Sequence, residues 1–342
     1  MATQTTGGGS VTSFTNTPQA KDDNYVFLED VLRANTSLYD AATGTIFLDV
    51  MANDLGGSAK TLFSVEDGDG NPLTADFDLL VKDVNAAGVS PWEETLNHNW
   101  VRINNGKIEY RIADGSGIPG QGRSVDSLTA GQVFADQFVY AIRLGNGTLS
   151  EATVKINITG ANDNASIAVV GASDNLVTES GVKPGNSPYP GDPSAGGTLV
   201  VNDADLGQNH FQDPSPGSLN GTYGAFTFNA TTGQWTYALN NSDPDTQSLA
   251  QGASATDTLT VMSFDGTASY NIVVNITGTN DAPVAVADVN GADLVTEAGV
   301  NPGNTAFAGD PSAAGNVLAN DTDVDTGATK TVSAVNGVAG NV

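Results

Sequence analysis

The chain has no cysteine, which excludes a disulfide framework, a thiolate metal centre and a cysteine nucleophile together. Positive charge is scarce as well: 12 Lys and Arg stand against 39 Asp and Glu, a formal charge of −27. That balance argues against nucleic acid and anionic lipid as partners and makes cations the natural counterparts. Histidine occurs only at His98 and His210, and neither opens an H-E-x-x-H pattern. The G-x-S-x-G elbow and the phosphate-cradling G-x-x-x-x-G-K are missing too, so the sequence predicts no enzyme. No stretch approaches the roughly 20 apolar residues of a membrane span. The opening MATQTTGGGSVTSFTNTPQA has no basic residue and no apolar run of the kind a cleavable signal peptide needs.

What is present is a chain of turns and strands. There are 40 glycines, with Thr, Asn and Val abundant, and only 15% of residues are charged. The acidic charge is thus spread over a chain with enough apolar residues to fold, unlike a disordered acidic tail. Its 342 residues predict two or three domains. Internal repetition locates them. ITGAND at Ile158–Asp163 returns as ITGTND at Ile276–Asp281, and Gly160–Gly207 aligns without a gap on Gly278–Asp325. The match is densest where LVTESGVKPGNSPYPGDPSAGG (Leu176–Gly197) meets LVTEAGVNPGNTAFAGDPSAAG (Leu294–Gly315). A diverged earlier copy is visible in GKIEY (Gly106–Tyr110) against GQWTY (Gly233–Tyr237), and in MAND (Met51–Asp54) against LAND (Leu318–Asp321). A period this long means tandem domains, not a solenoid. The expected organisation is a flexible leader over 1–17, a diverged sandwich with an insertion over 18–160, a repeat over 161–278 and an incomplete third repeat over 279–342. Half a sandwich exposes open edges, so the third repeat is expected to continue in a longer chain or to be completed by a neighbour.

Within each repeat the apolar period is two. Tyr270, Ile272, Val274 and Ile276 alternate with polar or outward neighbours, as do Val154, Ile156 and Ile158. Phe226 and Phe228, a turn at Thr231–Gly233, then Trp235, Tyr237 and Leu239 spell a hairpin with an aromatic face. The predicted fold class is all-β: tandem antiparallel β-sandwich domains of immunoglobulin or cadherin type. A short helix is expected around Phe27–Ala34.

The acidic strings are the chemically informative feature. Calcium takes about six to eight oxygen ligands, so a site needs several Asp, Asn or Glu residues gathered by tight turns. The second repeat supplies Asn162, Asp163, Asn164, Glu179, Asp203 and Asp205; the third supplies Asn280, Asp281, Glu297, Asp321, Asp323 and Asp325. Any one such string also reads as a turn, because Asx side chains satisfy their own backbone. The set together, with little Lys or Arg to neutralise it, predicts at least one calcium site. In VEDGDGNPLTADFD (Val65–Asp78), Asp67, Asp69 and Asn71 follow EF-hand spacing, but Pro72 replaces the required glycine, so a turn, with or without a weakly held ion, is expected there. Trp92, Trp100 and His98 in the Ala86–Val101 insertion raise a second reading, a carbohydrate- or protein-binding surface. Exposed tryptophans would favour it and buried ones count against it.

The order of these strings resembles a known module. Gly221–Val284, with its ITGTNDAPV ending, is similar to the VCBS repeat of large bacterial surface and secreted proteins in the RTX-adhesin group, and NVLANDTDVD (Asn316–Asp325) resembles their cadherin-like modules. The resemblance implies sandwich modules in tandem, calcium as the stiffening ion, an extracellular or bacterial cell-surface location and type I secretion. The implied role is a structural, non-enzymatic rod for adhesion, matrix or surface-layer assembly. Its partners would be neighbouring repeats, copies of itself, or a cell-surface polysaccharide or protein. A stalk for a downstream catalytic domain of a secreted hydrolase is the remaining alternative.

Overall fold

The computed structural model describes residues 19–65 and 79–339. Asp67, Asp69 and the leader over 1–17 lie outside the described residues. The chain divides into two compact units, Met1–Asn164 with Asp203–Asn209, and Ala165–Asn202 with His210–Val342.

In the first unit the strands are β1 (Asp23–Leu28), β2 (Tyr39–Asp40), β3 (Thr45–Leu48), β4 (Thr61–Val65), β5 (Glu93–Glu94), β6 (Trp100–Asn104), β7 (Lys107–Arg111), β8 (Val133–Arg143) and β9 (Leu149–Thr159). One sheet runs β1-β9-β8-β4 and the other β2-β3-β7-β6-β5. The period-two pattern builds the core between them: Ala152, Val154, Ile156 and Ile158 of β9 face inward with Phe138, Tyr140 and Ile142 of β8, and meet Val101, Ile103, Ile108 and Tyr110 of the other sheet.

The second unit repeats the plan with β10 (Ser166–Val169), β11 (Leu176–Thr178), β12 (Gly181–Lys183), β13 (Ser187–Tyr189), β14 (Ser194–Asn202), β15 (Gly224–Phe228), β16 (Gln234–Leu239), β17 (Ser254–Met262) and β18 (Ser269–Thr277). Sheets β10-β14-β16-β15 and β11-β18-β17 bury Leu199, Phe226, Trp235 and Tyr237 against Leu259, Val261, Ile272, Val274 and Ile276. The aromatic hairpin is present: Phe228 pairs with Trp235, and Asn229 Oδ1 accepts the Thr231 and Thr232 amides in its turn. Further along, β19 (Gly299–Asn301) and β20 (Thr305–Phe307) repeat the β12–β13 hairpin, and β21 (Ala334–Val335) pairs with β22 (Val338–Ala339).

The expected all-β sandwich architecture is present, and within its mostly antiparallel sheets each unit adds one parallel pairing: β1 runs parallel to β9, and β11 parallel to β18. The shorter strand of each parallel pair ends level with its long partner, Leu28 opposite Thr159 and Thr178 opposite Thr277. The helix predicted over Phe27–Ala34 is shorter, α1 (Glu29–Arg33), because Phe27 and Leu28 are claimed by the ladder to β9.

Each unit carries a buried Tyr–Asp pair across its core. Tyr110 donates to Asp136 Oδ2 at 2.6 Å, and that carboxylate also receives Thr95, Asn97, Asn99 and the Gln137 amide. Tyr237 donates to Asp257 Oδ2 at 2.7 Å, joined by the Thr222 and Tyr223 amides. These carboxylates are fully engaged by donors and are structural fixtures. A third buried pair is less well supplied. The Tyr140 hydroxyl lies 3.1 Å from Asp23 Oδ2 and 3.2 Å from both Asp54 oxygens, and burial pushes the Asp23 carboxyl up to about 6.

Candidate metal centres

Where β1 ends, Glu29 opens α1 with its side chain almost wholly buried, 2% exposed. Its Oε2 accepts the Ala161 amide at 2.8 Å, just beyond Gly160. Gly160 has to be glycine: a Cβ there would sit 2.4 Å from the Thr129 carbonyl and 2.5 Å from that of Leu128. This close approach carries the chain from β9 past the 3-10 turn Val125–Ser127, so that Glu29, Asp126 and Asp163 converge with one carboxylate oxygen each within 4.8 Å of one another. The loop Asp203–Asn209 of the same unit adds two acids. The Asp163 amide donates to Asp205 Oδ2 at 3.0 Å, the Asp205 amide to Asp203 Oδ1 at 2.9 Å, and the Leu206 amide to the Ser127 carbonyl. Asp126 Oδ1 and Asp203 Oδ2 are buried without a hydrogen-bond partner. Burial, then the charges of Asp163, Asp126 and Asp205, push Glu29 up to about 7.

The second unit repeats this hydrogen-bond pattern with different residues, Gln247 standing where Asp126 does. Glu179 follows β11, fully buried, and its Oε2 accepts the Thr279 amide at 3.1 Å. Gly278 makes the same close approach, 2.5 Å from the Leu249 carbonyl for an added Cβ. The Asp281 amide donates to Asp325 Oδ2 at 2.7 Å, the Asp325 amide to Asp323 Oδ1 at 3.0 Å, and the Thr326 amide to the Ser248 carbonyl. Asp281 Oδ2 and Asp325 Oδ1 are buried without a hydrogen-bond partner, and Asp325 is 7% exposed. Burial pushes Glu179 up to about 7, with Asp281 and Asp325 adding to the rise; both of those acids are raised as well.

Of the residues singled out from sequence, Asp163, Asp203 and Asp205 lie in the first cluster, and Glu179, Asp281, Asp323 and Asp325 in the second. Asn162 and Asn280 flank them, each donating through its side-chain amide to the carbonyl of the next aspartate. Three others are elsewhere. Asn164 and Glu297 are exposed. Asp321 accepts the Val286 amide at 2.7 Å, the part that Asp54 plays toward the Lys21 amide in the first unit. The ungapped alignment had set Asp203 and Asp205 against Asp321 and Asp323, but the hydrogen bonds set them against Asp323 and Asp325, two positions further on.

Sequence reasoning passed over Glu29 and Asp126, and Gln247, which donates to Glu179 Oε1 at 3.4 Å. A signal existed. FLEDV (Phe27–Val31) and VTESG (Val177–Gly181) both place Glu directly after an apolar strand, and SVDSLTAG (Ser124–Gly131) aligns with DTQSLAQG (Asp245–Gly252).

All the converging side-chain acceptors are oxygens, with no sulfur or imidazole, a donor set suited to a hard divalent cation. Calcium bonds of roughly 2.3–2.6 Å place ligands on opposite sides of the ion up to about 5 Å apart, which suits the oxygen spacing in the first cluster. The tryptophans make a poor sugar platform. Trp100 and Trp235 are buried, and the half-buried Trp92 ring is covered by the Arg102 and Arg111 guanidiniums at 4.4 and 4.7 Å.

No protein-family model and no curated protein matches the chain. Solved structures similar to it include the protocadherin GammaB4 extracellular domain, at 15% identity over 80% of this chain and 36% of that one, with a TM-score of 0.30. Drosophila N-cadherin EC1-3 shows 13% identity over 78% of this chain and 66% of that one at a TM-score of 0.30, and human CDH23 EC21-23 shows 14% over 84% and 82% at 0.29. The chain thus spans about a third of the protocadherin and just under two thirds of the N-cadherin fragment. Likenesses at TM-scores this low carry no argument about site or function.

Proposed function

We propose that this chain is a non-enzymatic structural segment of an extracellular protein, a run of β-sandwich repeats whose acidic clusters bind calcium. The supporting observation is the recurrence of one hydrogen-bonded carboxylate cluster in both units, each with a buried glutamate and buried acceptor oxygens that lack a donor. Such a group of charges is costly to bury unless a cation joins it. Glu29, Asp126, Asp163, Asp203 and Asp205 would hold one ion, and Glu179, Asp281, Asp323 and Asp325 another. What the ion supplies is charge neutralisation and a tie between segments distant in sequence. In the first cluster the ion would tie the Asp203–Asn209 loop to Glu29 and Asp126, and in the second it would tie Asp281, Asp323 and Asp325 to Glu179.

A bacterial surface setting, with repeats of VCBS type serving adhesion or matrix assembly and with copies of the chain or neighbouring repeats as partners, follows from the sequence strings rather than from the geometry. Small-angle scattering and thermal melting of the purified chain in calcium and in chelator test the reading. Calcium should raise the melting temperature and narrow the spread of molecular lengths. An unchanged profile and an unchanged melting temperature would refute it.

A further inference from the structure

The two clusters differ in one respect that their shared plan does not require. In the first, a cation from the chain itself is already in place. Arg33, at the end of α1, sets Nη1 3.0 Å from Asp163 Oδ1 and Nε 3.4 Å from Asp126 Oδ2, spanning two of the three acids that converge there. A guanidinium suits this because its planar fork engages two carboxylates together. The side chain remains 48% exposed, so it can swing into solvent without opening the core. Among the described residues the second cluster has no such group. The residue four places after Glu179 is Lys183, whose Nζ is turned to the Tyr189 ring at 4.9 Å, and the position of Asp126 is taken by the neutral Gln247. There the Asp281 amide donates to Asp325 and the Thr279 amide to Glu179, while Asp281 Oδ2 and Asp325 Oδ1 are buried without a hydrogen-bond partner.

We propose that Arg33 is a resident counter-ion of the first cluster, held between Asp126 and Asp163 until a divalent cation displaces it, so that the first cluster stays closed without metal while the second depends on it. This rests on the calcium reading of both clusters and adds an order to them. On chelation the second cluster opens first, and on loading the first cluster takes calcium against a competitor.

The test uses the full chain, stripped with chelator and titrated with calcium chloride by calorimetry. Hydrogen exchange is followed in parallel on the amides of Ala161–Asp163 and Asp203–Leu206, and on those of Thr279–Asp281 and Asp323–Thr326. Wild type in chelator should protect the first set and lose protection in the second. Arg33→Gln should make the first set exchange as fast as the second in chelator, restore its protection with calcium, and tighten one class of calcium site about three- to tenfold, the worth of a partly exposed ion pair or two. Lys183→Gln should change neither class. Two equally labile clusters in wild type, or calcium affinities and exchange unaltered by Arg33→Gln, would overturn the proposal while leaving calcium binding intact. No calcium uptake by either protein would overturn the calcium reading itself, and the displacement with it.

Discussion

Replacing Glu179 by Gln should change stability in opposite directions with and without calcium. The native carboxyl is raised from its ordinary value to about 7, first by burial and then by the Asp281 and Asp325 charges. A group that binds its proton more tightly in the folded chain than in the unfolded one lends stability at low pH, and that stability is lost as pH rises between the two values. At pH 8 in chelator the ionised side chain therefore costs on the order of 2–3 kcal/mol, by the free energy of a shift of this size. Glu179→Gln removes that charge, keeps an oxygen for the Thr279 amide, and brings N–H donors into a cluster where Asp281 Oδ2 and Asp325 Oδ1 lack one. In chelator the variant should melt several degrees higher than wild type, since 1 kcal/mol moves a domain of this size by roughly 3–6 °C. In calcium the order reverses. Saturation at about a hundredfold above Kd stabilises wild type by about 2.7 kcal/mol, and the variant, having lost a charged ligand, should gain little of it. Denaturant melts at pH 8, with calcium and with chelator, read both values. If Glu179→Gln is destabilising by the same amount in both, the carboxylate is a structural hydrogen-bond acceptor and the cation argument for this cluster is wrong.

Three further perturbations test the framework around the sites. Asp23, buried beside Asp54 and raised to about 6, should make the chelated protein lose on the order of 2–3 kcal/mol between pH 4 and pH 7; Asp23→Asn should flatten that slope, and a slope that survives the substitution assigns the protons elsewhere. Tyr237→Phe removes one of three donors to the buried Asp257 and should cost about 1.5–2 kcal/mol in equilibrium unfolding; a loss under about 0.5 kcal/mol would show that the two amides suffice. Gly278→Ala pushes a methyl within 2.5 Å of the Leu249 carbonyl and should destabilise by about 2 kcal/mol or more while weakening calcium uptake at the second cluster; a variant of wild-type stability would mean that this crossing is not a tight one.

How far the sequence carries depends on which residues a pattern of neighbours can describe. Strand alternation was legible because inward and outward faces follow directly from a period of two: Ile272, Val274 and Ile276 are buried as their spacing requires, and so is the Trp235–Tyr237–Leu239 stripe. The acidic loops were legible as strings, since Asp163, Asp205, Asp281 and Asp325 lie beside the turns that shape them. What stayed hidden is the part supplied by packing. Glu29 and Asp126 lie far from Asp163 in the sequence and outside the Asn-Asp strings, and the parallel addition of β1 to β9 and the glycine crossing at Gly160 bring them to it. The alignment error at Asp321 has the same origin. A gapless match scores identities, yet the aspartate that accepts the hydrogen bond of the Asp281 amide is Asp325, because two residues are added after the β19–β20 hairpin and a backbone contact, unlike a letter, cannot shift register. The repeat therefore transmits a set of backbone contacts more faithfully than the side chains placed on them, and it is in that looser layer, Asp126 against Gln247 and Arg33 against Lys183, that the two clusters come to differ in their demand for a cation.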